Sequence, residues 1–500
     1  MTADPAEPAG LAGLAARALA GARPAPYWLG QPAAPEPAPP LAGPQRADLA
    51  VIGGGFTGLW TALLAAERDP GRDIAIVEGR RAAWAGSGRN GGFCAASITH
   101  GLANGMDRFG GEMAVLYRMG LQNLDQIGAA VDRLKIDCDF ARTGELSVAT
   151  QEWQLAGLRA AAAAARGLGA RVEELDAAAA RAQVHSPAYA GAIWDRDGCA
   201  ILDPARLAWG LRRACLDAGV RIYEHTPVTA ISAAGASRGS GGSRGPGGPR
   251  GSGGRGGSGA PLVLRTPGGE LTARQVALGT GAFAPLLRRL RHYLVPVYDY
   301  VLMTEPLSAA QLASIGWRNR QGVGDAANQF HYYRLTADHR ILWGGYDAVY
   351  HFGGKISAAL DQRPATFRLL AEHFFATFPQ LEGISFTHTW GGVIDTCTRF
   401  AAFYGTARGG RLAYAAGYTG LGVGASRFGA RVMLDLLAGE PTELTELEMV
   451  RSRPLPFPPE PARSAGIALT RWSLARADAD DGRRNLWLRA LDRAGLGFDS

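Results

Sequence analysis

A short apolar run leads directly into closely spaced glycines: Asp48-Leu-Ala-Val-Ile-Gly-Gly-Gly-Phe-Thr-Gly58. No other stretch constrains the fold so tightly. Leu49 to Ile52 suits a buried parallel strand, and Gly53, Gly55 and Gly58 follow in G-x-G-x-x-G spacing. Phe56 to Glu67 reads as a helix and Ile74 to Val77 as a second strand, closed by Glu78. Each position has a task in holding a dinucleotide. Gly53 permits the tight turn, Gly55 lets backbone approach a pyrophosphate, and Gly58 lets helix and strand pack closely. Phe56 and Thr57 open the helix, whose unpaired N–H groups and partial positive charge would face the phosphates. Glu78 would accept hydrogen bonds from ribose hydroxyls, and its charge disfavours a 2′-phosphate. All parts of the fingerprint occur in the required order.

The turn alone does not choose between NAD and FAD. The next segment, Gly86-Ser-Gly-Arg-Asn-Gly-Gly-Phe93, is a second glycine-rich loop. Ser87, Arg89, Asn90, Gly91 and Gly92 would let backbone wrap a pyrophosphate and a flavin edge. Gly420-Leu-Gly-Val-Gly-Ala425 also fits a G-x-G-x-x-A pattern, but no acid closes a following strand and too little chain remains for another βαβ unit.

With these segments the chain resembles the D-amino-acid-oxidase-like family of FAD-dependent oxidoreductases, which includes glycine and sarcosine oxidases. The match is carried by Gly53–Gly58 with Glu78, by Ser87–Gly92, by Val276-Ala-Leu-Gly-Thr-Gly-Ala-Phe283, and by Ala415-Ala-Gly-Tyr-Thr-Gly-Leu-Gly-Val-Gly424. Pro296-Val-Tyr-Asp-Tyr-Val-Leu-Met-Thr-Glu-Pro-Leu307 looks like the γ-glutamylputrescine oxidoreductase branch. The resemblance implies an FAD-binding Rossmann-like α/β domain of glutathione-reductase type, interrupted by an antiparallel-sheet substrate domain. It places Val228 on the adenine side, and Gly279 and Gly281 near the pyrophosphate. Gly417, Gly420, Leu421, Gly422 and Val423 would pass under the flavin, with a helix N-terminus favouring its reduced, anionic form. Members that attach FAD covalently use His or Cys at set places. Arg89 and Asn90 stand in the loop here, so non-covalent FAD is expected, with Cys397 the exception to watch.

The surrounding texture agrees with one domain interrupted by another. Residues 1–46 read as a helical piece and a Pro-rich leader, pinned by Tyr27-Trp28. Residues 47–145, 201–290 and 401–445 read as parts of the FAD domain, and 146–200 and 291–400 as the substrate domain. A C-terminal tail fills 446–500. Helices are expected over 111–135 and over the alanine-rich 151–182, and a strand from Val220 to Ser232. Residues 235–259 hold thirteen glycines and read as a disordered surface insertion in a hairpin. Seven of the fourteen tyrosines lie between Tyr293 and Tyr350, suiting a sheet with one packed face.

Composition excludes several classes. The net charge is +7, but four arginines lie in the 235–259 tract and the excess without them is +3. No basic stripe with interleaved aromatics points to nucleic acid. Five scattered cysteines without C-x-x-C argue against a disulfide framework and a zinc site. No apolar run reaches the ~18–20 residues of a membrane helix. A cytoplasmic enzyme is the expectation.

The chemistry expected is oxidation of the carbon beside an amine. Hydride passes to flavin N5, the imine is hydrolysed, and oxygen or an electron carrier reoxidises the flavin. Tyr298, Tyr300, Tyr332, Trp343 and Trp390 are candidates for an aromatic cage around the substrate. Arg334 is a candidate carboxylate clamp, as is Arg399, and Glu305 could meet a cationic amine. Each of these could equally be a packing or surface residue. No metal site is expected. Two other readings stay open: a flavin-binding protein without turnover, and a flavin-dependent enzyme acting on RNA.

Overall fold

The computed structural model describes residues 10–234, 259–283 and 285–497. Two large sheets share the chain. The first is built on parallel strands. Strand Gln45–Ile52 lies between Ile74–Val77 and Gly269–Leu278. Arg221–Tyr223 extends the sheet beyond Ile74–Val77, and Leu412–Ala416 joins it at Gly269–Leu278. The second glycine pattern therefore closes the same sheet and starts no separate fold. Helix Phe56–Arg68 packs beside helices Pro204–Asp217 and Gly422–Ala438. Leu49, Val51, Leu59 and Phe428 are fully or almost fully buried among them.

The second sheet is mostly antiparallel. Its long strands Val295–Thr304 and Phe386–Thr396 pair along ten positions, with an irregularity at Met303/Thr304. Glu145–Ala149, Val172–Asp176 and Gly191–Asp195 form its far side. One face packs on helix Pro364–Thr377, and helix Leu11–Leu19 of the leader packs on that helix in turn. Trp28 of the leader is 2% exposed.

Local expectations needed correction in two places. The alanine-rich stretch 151–182 is not one helix. It folds as helix Gln154–Gly167, strand Val172–Asp176 and helix Ala177–Gln183. Gly169 turns at φ +89° between the first two, a conformation that ends a helix. The strand expected from Val220 to Ser232 is two strands, Arg221–Tyr223 and Ala230–Ala233. The second pairs antiparallel with Leu262–Thr266. The expected disorder of 235–259 falls, apart from Gly259, outside the described residues.

Candidate active site

A cavity of about 1300 Å³ runs from the glycine turn to the second sheet. At the turn, Gly53 has φ +109°, and a Cβ there would stand 2.5 Å from the Gly279 carbonyl oxygen. A Cβ on Gly58 would stand 1.9 Å from the Gly53 carbonyl oxygen. The approach of helix to strand therefore tolerates no side chain at either position. Glu78 is fixed at its strand end. Its Oε2 accepts the Gly54 N–H at 2.6 Å and its Oε1 the Arg80 N–H at 2.8 Å. Burial raises its pKa, while these N–H bonds favour the charged form.

The second glycine loop folds against the first. Ser87 Oγ accepts the Phe56 N–H at 2.9 Å, tying the loop to the helix N-terminus. Asn90 organises the loop itself. Its Nδ2 donates to the Gly86 and Ser87 carbonyls at 2.9 and 3.1 Å, and its Oδ1 accepts the Gly92 N–H at 2.8 Å. Two indoles hold the loop carbonyls: Trp28 Nε1 donates to Asn90 O at 2.9 Å and Trp390 Nε1 to Arg89 O at 2.8 Å. The Arg89 guanidinium is spent on Asp361 at 2.5 Å and on the Trp84 carbonyl at 3.0 Å.

Gly53, Gly55, Phe56, Thr57 and Glu78 line the cavity, as do Ser87, Arg89, Asn90 and Gly91. Val228, Gly279 and Gly281 line it from the side, and Gly420, Leu421, Gly422 and Val423 at the start of helix Gly422–Ala438. Gly58, Gly92 and Gly417 do not line it and act from behind. Gly58 lets helix meet strand, Gly92 O accepts from Arg334, and the Gly417 N–H donates to Asp395 Oδ2 at 2.7 Å. A glycine turn closed to a Cβ at Gly53 and Gly58, a fixed carboxylate and a helix N-terminus, gathered at one cavity, fit a flavin dinucleotide.

At the other end the expected aromatic cage is corrected by strand parity. Along Val295–Thr304, residues 295, 297, 299 and 301 line the cavity. Tyr298 and Tyr300 point the other way, because alternate side chains take opposite faces. Both are 0% exposed. Tyr298 donates to Ser357 O at 3.3 Å, and Tyr300 to Leu360 O at 3.0 Å. Trp343 packs in the core, 4.5 Å from Tyr333 between ring centroids. Trp390 is buried under the loop it supports. Arg334 is no clamp: it is fully buried and its Nη1 donates to the Leu202 and Gly92 carbonyls at 2.5 and 3.2 Å. Burial lowers its pKa to about 10. Arg399 is likewise tied to the Ala401 and Met449 carbonyls, at 3.1 and 2.9 Å. Glu305 accepts the Ser385 N–H at 2.9 Å and lies away from the cavity.

Of the cage candidates only Tyr332 lines the cavity, its ring against Gly91. Its hydroxyl donates to the Asp299 carboxylate, which also accepts the Tyr300 N–H at 2.9 Å. Burial pushes the Asp299 carboxyl up to about 6 and that of Glu145, also on the wall, up to about 7. Sequence reasoning passed over both. Asp299 sits inside the quoted Pro296–Leu307 motif, and counting alternate positions from Val295 would have found it.

Residues 48–436 match the family described as FAD dependent oxidoreductase. The chain belongs to this family. Members of the FAD-dependent oxidoreductase family that it is similar to include the gamma-glutamylputrescine oxidoreductase of Escherichia coli. That protein is 32% identical over 402 residues, spanning 79% of this chain and 84% of the relative. The probable oxidoreductase OrdL of Haemophilus influenzae is 27% identical over 418 residues, spanning 82% and 87%. Among solved structures, glycine oxidase from Geobacillus kaustophilus has the same fold, at TM-score 0.63 and 21% identity. It covers 82% of this chain and 99% of that one. This protein is thus an FAD-dependent oxidoreductase, with the Rossmann-like fold interrupted by an antiparallel sheet. No helix among the described residues is long and apolar enough to cross a membrane. Among them no group of three or more His, Cys, Asp or Glu could hold a metal ion.

Proposed function

We propose that the chain oxidises the C–N bond of an aliphatic amine, using FAD held without a covalent bond at the glycine cradle. The observation that carries this reading is the Asp299–Tyr332 pair on the inner wall of the cavity. A carboxylate in a half-enclosed site attracts an ammonium group. A carboxyl shifted up to about 6 can also take the ammonium proton, leaving the neutral amine that hydride loss requires. The Tyr332 hydroxyl fixes the orientation of that carboxylate. Glu145 adds a second acidic group to the same wall. The arginines nearest that wall are engaged: Arg89 on Asp361, and Arg334 and Arg399, behind the cavity, on carbonyls. This favours an amine over an α-amino acid.

Bound FAD supplies the hydride acceptor. The chain's part is to seat the substrate against Tyr332, hold its proton on Asp299 and keep the flavin loop rigid through Asn90, Trp28 and Trp390. The imine product hydrolyses in water, and oxygen or an electron carrier takes the electrons onward. Cys397 supports the non-covalent reading, since it is fully buried with Sγ turned to the Ala401 carbonyl at 3.2 Å. The resemblance to gamma-glutamylputrescine oxidoreductase makes γ-glutamyl-amines and polyamines the first substrates to try. Anaerobic titration of the yellow protein with these amines and with N-methyl amino acids tests the reading. Bleaching by an aliphatic amine is expected. A flavin that no amine reduces would sink it.

A further inference from the structure

The family match ends at residue 436, yet the cavity does not. The tail crosses its open side. Thr398 Oγ1 donates to the Leu455 carbonyl at 2.7 Å, and the Phe457 N–H to the His292 carbonyl at 2.7 Å. Glu460 accepts from the Tyr350 hydroxyl at 2.6 Å. Helix Ala462–Ala479 follows, and its Asp478 accepts the Asn328 and Gln329 N–H groups at 2.8 and 2.9 Å. After helix Leu486–Arg493, Arg108 Nη1 donates to the Gly495 carbonyl at 2.6 Å. The segment is therefore anchored at both ends and in the middle.

Its helix presents one stripe to the cavity: Arg463, Gly466, Ile467, Thr470, Arg471 and Leu474. The spacing of three and four residues is that of a single helical face. From the last helix Trp487 and Leu491 add an apolar patch, with Trp487 Nε1 donating to Thr470 Oγ1 at 2.9 Å. Asp299 and Glu145 line the inner wall and Arg463 and Arg471 the roof. Arg81 and Arg89 also line the cavity, beside the glycine loops, but are bound to the Pro35 carbonyl and to Asp361. Arg471 also meets Asp347 at 3.2 Å, but Asp347 is shared with Arg363, so this cluster keeps a positive excess. Arg463 Nε donates to the Pro458 carbonyl at 3.0 Å.

Building on the amine reading above, we infer that the C-terminal helix is the specificity-determining roof of the site. Arg463 and Arg471 select an aliphatic amine with a carboxylate at the end remote from the reacting nitrogen. The amine goes to the acidic wall and the carboxylate to the basic roof, with Ile467, Leu474 and Trp487 over the alkyl chain between them.

Two matched amines read the roof directly: 6-aminohexanoate, with a distal carboxylate, and hexylamine, without one. The wild-type enzyme is expected to prefer the acid in kcat/KM. Arg463→Gln and Arg471→Gln should each lower that preference tenfold or more, and Arg463→Lys should keep most of it. Arg463→Glu should turn the preference toward 1,6-diaminohexane, an outcome that damage to the fold cannot imitate. A second measurement is independent of turnover. Adipate should perturb the flavin absorption bands, with Kd rising at least tenfold in the Gln variants. If no amine bleaches the flavin but adipate binding still depends on the arginines, the amine reading fails and the roof stands. If both substrates lose rate in proportion and adipate binding is unchanged, the roof is overturned.

Discussion

The two ends of the cavity are built by different means. The nucleotide end is made of backbone: a glycine turn, a loop folded by its own amide side chain, and a helix N-terminus. The end proposed for the substrate is made of side chains on a sheet and is lined as well by a tail that lies beyond the family match. Backbone recognition requires the absence of side chains, so it tolerates little change. Side-chain recognition can be altered one residue at a time, and this is where members of one fold can diverge in substrate.

The comparison can be broken first at the glycine turn. Gly53→Ala puts a Cβ 2.5 Å from the Gly279 carbonyl oxygen at a φ that disfavours L residues. The purified variant is expected to be colourless, with flavin absorbance per chain near zero. A yellow, fully loaded Gly53→Ala protein would show that the turn is not the rigid end.

The next largest effect belongs to Asp299. Asp299→Asn keeps the Tyr332 contact within reach but removes the proton acceptor, so kcat/KM for an amine should fall by roughly 10²–10⁴. Because burial lifts the carboxyl to about 6, it is charged above that pH and neutral below it. Wild-type rates should therefore decline as pH falls through about 6, and the Asn variant should lack that limb. A profile of unchanged shape in Asp299→Asn would remove Asp299 from the mechanism.

Arg334 sharpens the contrast between the cavity wall and what lies behind it. Arg334→Met strands two buried carbonyls and should destabilise the fold by about 2–4 kcal/mol, read by denaturant unfolding. The KM for amines should change little, since the side chain does not reach the cavity. A large KM effect at unchanged stability would restore the clamp role.

The smallest effect is expected at Trp390. Trp390→Phe loses one indole hydrogen bond to the Arg89 carbonyl, worth about 1 kcal/mol. Flavin affinity should weaken by no more than roughly tenfold, measured by apoprotein titration with FAD. A loss of all flavin would mean that the loop depends on one support.

The nucleotide end was legible because its signals are local. A parallel strand, its glycines, a helix and a terminal acid follow one another within about thirty residues, and each has a backbone reason. The substrate end was legible only as a texture. Tyrosines and tryptophans mark a packed sheet, but a sheet has two faces. Which face is core was decided by helix Pro364–Thr377, far away in the chain. That is why Tyr298 and Tyr300 were candidates and Asp299 between them was not. Arg334 shows the same limit: a buried guanidinium bonded to carbonyls from residues 92 and 202 has no signature in its neighbours.

By itself the sequence determined the cofactor class and the interleaved α/β architecture, because a flavin dinucleotide is gripped by backbone geometry that glycine spacing records. Only the tertiary structure decided which polar residues line the cavity together. It brought Glu145, Asp299 and a tail helix from residues 462–479 onto one cavity. Such a meeting depends on strand parity and on long-range packing, neither of which is written in any one segment.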